Sequence, residues 1–226
     1  LIGMTMKGVI WYQGEDNYNR AHTYADMFAT LIKGWRADWN QGDFPFYYCQ
    51  IAPYDYEIIT EKGKEVINSA YLREAQAQVE HRVPNTGMAV LLDAGMEKGI
   101  HPSKKRVAGE RLGLLALTKT YGVEGVNGES PCYKSMEVKN DTIIVSFERA
   151  DMWITGKDCF ESRLFQVAGE DRVFHPAKAW IERSKMYVKC AQVPHPVAVR
   201  YGFENYVEGD VYCDGLPLGS FRSDTW

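Results

Sequence analysis

No two cysteines in this 226-residue chain are spaced Cys-x-x-Cys. The five present (Cys49, Cys132, Cys159, Cys190 and Cys213) form no close grouping with the five histidines. A structural zinc site is therefore not expected. The odd count neither establishes nor excludes a disulfide; Cys190 and Cys213 share a β-like region where pairing is one option in an oxidising compartment. No basic run stands out and the net charge is −4, which argues against a nucleic-acid partner. No run of 18 apolar residues exists, so no helical membrane span is read. The first residues, Leu1-Ile2-Gly3, have neither an initiator methionine nor the look of a secretory leader, and a strand begins within seven residues. The expectation is the later portion of a longer protein.

The composition, 45% apolar and 25% charged, is that of a globular chain with a sizeable core. Its first half alternates short apolar runs with helical periods. Residues 7–12, 46–51 and 88–92 read as strands, the first buried on both faces. Between them, Tyr24, Phe28, Leu31, Ile32 and Trp35 form one helical stripe, and Leu72, Ala75 and Val79 another within residues 66–81. Residues 54–65 read as a polar loop, and residues 102–121 as a third helix with Ala108, Leu112 and Leu115 inward. This is an α/β pattern: a parallel sheet flanked by helices. From about residue 125, short runs such as Thr142-Ile143-Ile144-Val145-Ser146-Phe147 and Val197-Ala198-Val199-Arg200-Tyr201 alternate with turns, which reads as an all-β, sandwich-like unit. The division falls at residues 1–122 and 123–226. Trp153, Trp180 and Trp226 of the second part are expected to be buried rather than to form sugar-stacking faces.

Ligands of open parallel sheets bind outside the carboxyl ends of the strands. Two such ends carry unusual residues here: Gln13-Gly14-Glu15-Asp16-Asn17, and the loop from Asp93 to His101. Gln13 offers an amide N–H to an oxygen that becomes anionic, a role worth roughly 10²–10³ in rate; Gly14 permits close approach, and Glu15 and Asn17 pin the bend. The alternative is an ordinary turn with Asn17 as a helix cap. His101 precedes Pro102, a residue suited to a first helical position, so His101 is placed at a helix start where the dipole favours the neutral ring of a general base; the alternative is a histidine that only caps and packs. Asp93 either orients His101, as a third member of a triad, or caps a loop or pairs with a basic residue.

Together these segments resemble the sialate O-acetylesterase group of the SGNH (GDSL-like) hydrolases. Gly8-Val9-Ile10-Trp11-Tyr12-Gln13-Gly14-Glu15-Asp16-Asn17 is similar to that group's third block, with Asp16 where a serine is usual. Ile100-His101-Pro102, with Lys105 and Gly109-Glu110-Arg111-Leu112 beyond, is similar to its histidine block, with Lys98 where many SGNH enzymes carry an aspartate. Leu72-Arg73-Glu74-Ala75-Gln76 and Gly215-Leu216-Pro217 through Phe221-Arg222-Ser223-Asp224 fit the same group. The resemblance implies hydrolysis of O-acetyl esters on sugars through an acyl-serine, with His101 as catalytic histidine, Gln13 in the oxyanion hole, Glu15 and Asn17 supporting it, and no cofactor. It also implies a periplasmic, secreted or lysosomal setting. The family's nucleophilic serine belongs to a block upstream of everything in this chain, so the rest of the same protein, possibly a separate chain, is the expected partner, leaving apolar sheet edges uncovered. A non-catalytic glycan- or partner-binding fragment, or an acetylxylan-type esterase, is the competing reading.

Overall fold

The computed structural model describes residues 2–57, 59–61, 64–157 and 161–226, so Cys159 lies outside the described residues. Three parallel strands form its first layer: β1 (Val9–Trp11), β2 (Phe46–Cys49) and β5 (Thr86–Ala89), with β2 central. Trp11 lies opposite Tyr48, and Cys49 opposite Ala89. Helix α1 (Ala21–Trp39) connects β1 to β2, and α2 (Ser69–Arg82) leads to β5, giving the strand–helix–strand order expected of a parallel sheet. α1 buries Tyr24, Phe28 and Ile32 at the predicted spacing. It stops at Asn40, which takes a left-handed conformation (φ 51°) and returns its N–H to the Arg36 carbonyl. Arg36 is itself buried and donates to the carbonyls of Phe44, Pro84 and Asn85, fixing the entries to β2 and β5.

Four boundaries differ from the sequence reading. β1 is an edge strand here rather than one buried on both faces: among the described residues it pairs only with β2, and Ile10 is 69% exposed. The third strand runs over residues 86–89 rather than 88–92. The second helix starts at Ser69, where Asn68 Oδ1 accepts the Ala70 N–H at 2.8 Å; residues before it pair instead as β3 (Ile59–Glu61) with β4 (Lys64–Ile67). The third helix, α3 (Lys105–Leu115), begins three residues later than predicted and passes into a wide turn over residues 116–120. Pro102 is buried, and the Lys105 N–H is taken up by the Ser103 carbonyl at 2.8 Å, so the chain turns once more before it coils.

After residue 131 every strand pairing is antiparallel. β6 (Cys132–Lys139), β7 (Thr142–Glu148), β8 (Ile154–Gly156), β9 (Glu161–Ser162), β10 (Phe165–Ala168), β11 (Phe174–Pro176), β12 (Lys178–Glu182), β13 (Lys185–Lys189), β14 (Ala198–Tyr201), β15 (Val211–Cys213), β16 (Leu216–Pro217) and β17 (Phe221–Arg222) form three sheets. Their orders are β6-β7-β13-β12-β9, β11-β10-β14-β17 and β16-β15-β8. One apolar cluster runs without a break from Phe28 and Tyr48 through Met88, Val90 and Leu92 into Val145, Phe165, Tyr201 and Phe221. A second, formed by Tyr47, Cys49, Leu91, Leu112 and Leu115, covers the other face of the parallel sheet under α3.

Polar groups complete the seam between the two parts. Arg73 of α2, fully buried, donates to Ser69 Oγ, Ser220 Oγ and the carbonyls of Gly202 and Glu204. Glu74 accepts both ends of the Arg222 fork at 2.9 and 3.0 Å. One expectation about the β unit changes. Trp153 is 71% exposed and Trp226 is 38% exposed, both outside any strand, and Trp180 of β12 is half-buried on Tyr187. Cys190 and Cys213 remain separate free thiols, as do Cys49 and Cys132.

Candidate active-site cleft

β1, β2 and β5 deliver three loops side by side at their carboxyl ends, and two glycines let these loops touch. A Cβ on Gly14 (φ 150°) would lie 2.9 Å from both Ile51 Cγ2 and Gln76 Nε2. A Cβ on Gly95 would lie 2.1 Å from the Pro53 carbonyl oxygen. The loop after β2 is thus gripped from both sides, and the Asp55 N–H donates to the Glu97 carbonyl at 3.3 Å.

A cleft of about 410 Å³ opens over this junction, lined by Gln13, Gly14, Glu15, Tyr18, Tyr56 and Ile100. Gln13 is held by four hydrogen bonds. Its carbonyl oxygen accepts Gln76 Nε2 at 3.1 Å and the Tyr24 hydroxyl at 3.0 Å. Its side-chain Oε1 accepts the same hydroxyl at 3.0 Å, and its Nε2 donates to Asn17 Oδ1 at 2.8 Å. With the oxygen and one N–H fixed, the amide has a set orientation and a second N–H to give. Gln76 is held in turn, its Oε1 accepting the Ile51 N–H at 2.9 Å. Asn17 does not cap a helix; residues 15–20 form a 3-10 turn that starts from Gly14, whose carbonyl accepts the Asn17 N–H at 2.7 Å.

Glu15 carries negative charge under the cleft. Burial, with Glu15 as the charged hydrogen-bond partner, lifts the Tyr12 phenol far above its usual range. Burial and Glu15 also raise Tyr56, and Tyr24 is pushed up to about 12 by burial despite its bond to Gln76. The Cys49 thiol is likewise pushed up to about 12 by burial, Arg111 only partly offsetting it, so it stays protonated at neutral pH and is no nucleophile. Among the described residues, no serine, threonine or cysteine lines the cleft.

His101 follows Ile100 directly and is exposed. It makes no hydrogen bond among the described residues, and it does not sit at the start of α3, whose N-cap position is Lys104. The helix-dipole argument for its neutral form therefore fails, since that field fades within the first turn. Gln13 and the His101 loop do lie on one rim. Asp93 realises its other reading: both its oxygens take the Arg111 fork at 2.6 and 2.7 Å, and the Tyr212 hydroxyl donates to Oδ2 at 3.3 Å. Burial would raise this carboxyl, but Arg111 overrides it and holds the group below the usual carboxylate range.

Sequence reasoning missed Tyr56 as a wall of the cleft, Gln76 and Tyr24 as the supports of Gln13, and Arg111 as the partner of Asp93. Gln76 and Arg111 stand inside segments singled out only for their resemblance, without a physical role.

Residues 2–106 match the family described as carbohydrate esterase, sialic acid-specific acetylesterase. A sialate O-acetylesterase from Rattus norvegicus is 32% identical over 183 residues, covering 74% of this chain and 33% of that protein. The human sialate O-acetylesterase is 31% identical over 150 residues, 61% of this chain and 29% of its own length. The chain thus spans about a third of the length of these relatives. The crystal structure of a carbohydrate acetylesterase from Xanthomonas citri superposes with a TM-score of 0.87 at 34% identity, over 98% of this chain and 51% of that one. The antiparallel unit is therefore shared with that enzyme along with the parallel sheet. Residues 2–106, the part of the chain that matches this family, include the cleft and its two rim loops.

Proposed function

We propose that this chain supplies the histidine and oxyanion-hole side of a carbohydrate O-acetylesterase, with an acetylated sialate as the substrate suggested by the relatives' names. The observation that carries the reading is the shared cleft, where Gln13 on one strand end and Ile100, the neighbour of His101, on another line the same space. In the proposed reaction a serine hydroxyl attacks the acetyl carbonyl and His101 removes its proton. The carbonyl oxygen becomes anionic and accepts the free N–H of Gln13. Collapse expels the sugar oxygen, which takes the proton from His101, and leaves an acetyl-serine. Water, deprotonated by the same imidazole, releases acetate and restores the serine.

The serine comes, in this reading, from the remaining part of the protein, whose strands would extend the sheet at β1. Support for that placement is the exposed edge: Ile10 is 69% exposed, and a cavity of about 160 Å³ runs between residues 7–10 and Tyr121. A periplasmic, secreted or lysosomal setting belongs to the same proposal.

The test uses the complete protein. Hydrolysis of O-acetylated sialic acids, together with covalent labelling by a fluorophosphonate probe, is expected, and both should be lost in His101→Ala. Labelling and turnover that survive His101→Ala overturn the assignment.

A further inference from the structure

The largest cavity near the cleft is not part of it. About 530 Å³ of space lies where the strand-end loops meet the β unit, lined on one side by Asp55, Tyr71 and Glu97 and on the other by Phe174, Arg200 and Tyr206. Two residues tie it to the candidate active site. Asp55 adjoins Tyr56, a wall of the first cleft, and Glu97 stands four residues before His101 on the same loop.

Its walls are rigid. Arg200 stacks on Phe174, 3.9 Å from the ring centroid, and its fork is held by Asp224 at 2.7 and 2.8 Å. Tyr71 meets Phe203 edge-on at 5.0 Å. Asn205 locks the loop above, its Nδ2 donating to the Tyr56 carbonyl at 2.9 Å and its Oδ1 accepting the Ser69 N–H at 2.7 Å. Such a site needs little ordering when a ligand binds.

Its charge is one-sided. Asp224 already neutralises Arg200. Among the described residues, Asp55 and Glu97 form no ion pair; Glu204 accepts the neutral Gln166 amide at 2.7 Å and lies within electrostatic reach of one cation, the buried Arg73. Three carboxylates therefore face a space floored by aromatic rings. Carboxylates accept hydrogen bonds from hydroxyl groups and repel anions, while ring faces accept the C–H side of a pyranose.

We propose that this cavity is a second carbohydrate subsite, taking a neutral, hydroxyl-rich sugar of the chain that carries the acetyl ester. This deepens the esterase reading and rests on it for the acetylated ligand. It makes one claim of its own: the sugar next to the acetylated one is uncharged, and the β unit contributes to choosing it. An anionic sugar fits poorly beside Asp55, Glu97 and Glu204.

Isothermal titration of the complete protein tests this with two unacetylated probes: a neutral tetrasaccharide such as cellotetraose or xylotetraose, and tetragalacturonate, whose every sugar is anionic. Millimolar or tighter binding of a neutral probe is expected. It should weaken at least tenfold in Tyr206→Ala and in Glu97→Gln, with cleavage of p-nitrophenyl acetate unchanged in both. Thermal melting of each variant reports whether it folds, and Glu204→Gln, an exposed and isosteric change, serves should Tyr206→Ala melt early. No binding of either neutral probe, binding untouched by these variants, or tighter binding of tetragalacturonate each overturns the proposal. Loss of p-nitrophenyl acetate cleavage in His101→Ala reads the esterase assignment separately, so either proposal can fail alone.

Discussion

Gln13 and Asn17 are joined amide to amide, Gln13 Nε2 donating to Asn17 Oδ1 at 2.8 Å. The bond spans a single turn of 3-10 helix and consumes one of the two N–H groups of Gln13, which aims the other. An aimed donor needs no reorganisation when charge develops on a substrate oxygen. Gln13→Ala in the complete protein is expected to lower kcat by roughly 10²–10³ with little change in KM. Asn17→Ala keeps the donor but frees its rotation, and about a tenfold loss in kcat is expected. Steady-state kinetics on an O-acetylated sugar checks both; equal losses in the two variants would mean that Asn17 does more than aim Gln13.

Asp93 and Arg111 form a second pair whose role can be separated by pH. The carboxyl is held below its unfolded value of about 3.9, so it contributes stability fully present above that pH. As pH falls through the unfolded and then the folded value, the contribution is lost. Asp93→Asn leaves the Arg111 guanidinium buried without its counter-charge, at a cost of about 3 kcal/mol near neutrality. Its urea midpoint should fall at pH 7 and change less than wild type between pH 5 and 3. Because both carboxylate oxygens are already engaged, kcat at a permissive temperature should fall less than tenfold. A loss of a thousandfold or more would instead give Asp93 a role beside His101.

Gly14→Ala probes the grip between the first two loops. The new methyl group meets Ile51 and Gln76 at 2.9 Å, and the backbone there holds φ at 150°. Overpacking and strain together cost about 2–4 kcal/mol. Because Gln76 supports the Gln13 carbonyl, activity should fall more than stability alone explains. Gly42→Ala is the control: it also has positive φ, but a Cβ there meets no atom within 4 Å, so it should lose stability without a matching loss of activity.

The legible parts of this chain were those governed by local pattern. The α1 stripe survives intact because residues four apart share a face whatever lies opposite. The strand-end position of Gln13 is similarly local, since an apolar run followed by glycine and amides marks a strand ending in a bend. Where the reading failed, distant residues decided. Pro102 suited a helix start, yet it is buried and the chain turns again at Ser103 before coiling. The second helix lost residues 66 and 67 to a strand that pairs with residues 59–61, a choice that helical periodicity does not reveal. Gln76 looked like one more polar helix residue; only the arrival of Gln13, 63 positions away, gives its amide a task.

Arg73 is the strongest case of meaning supplied from a distance, and it yields the sharpest test of the seam. Its guanidinium is fully buried with no carboxylate bonded to it, and burial pulls its pKa down to about 10, so it remains charged at neutrality. The charge is balanced by the carbonyl dipoles of Gly202 and Glu204 and by the hydroxyls of Ser69 and Ser220. Arg73→Met fills similar space but leaves those acceptors dry and unpaired, at about 1–3 kcal/mol for each one that water cannot reach. A total near 4 kcal/mol lowers Tm by roughly 10 °C in a protein of this size. Arg73→Lys should recover only part of this, because one ammonium cannot span acceptors placed for a planar fork. Calorimetry of both variants decides it: a lysine variant as stable as wild type would mean that charge alone, and not the five-donor geometry, holds the β unit against α2.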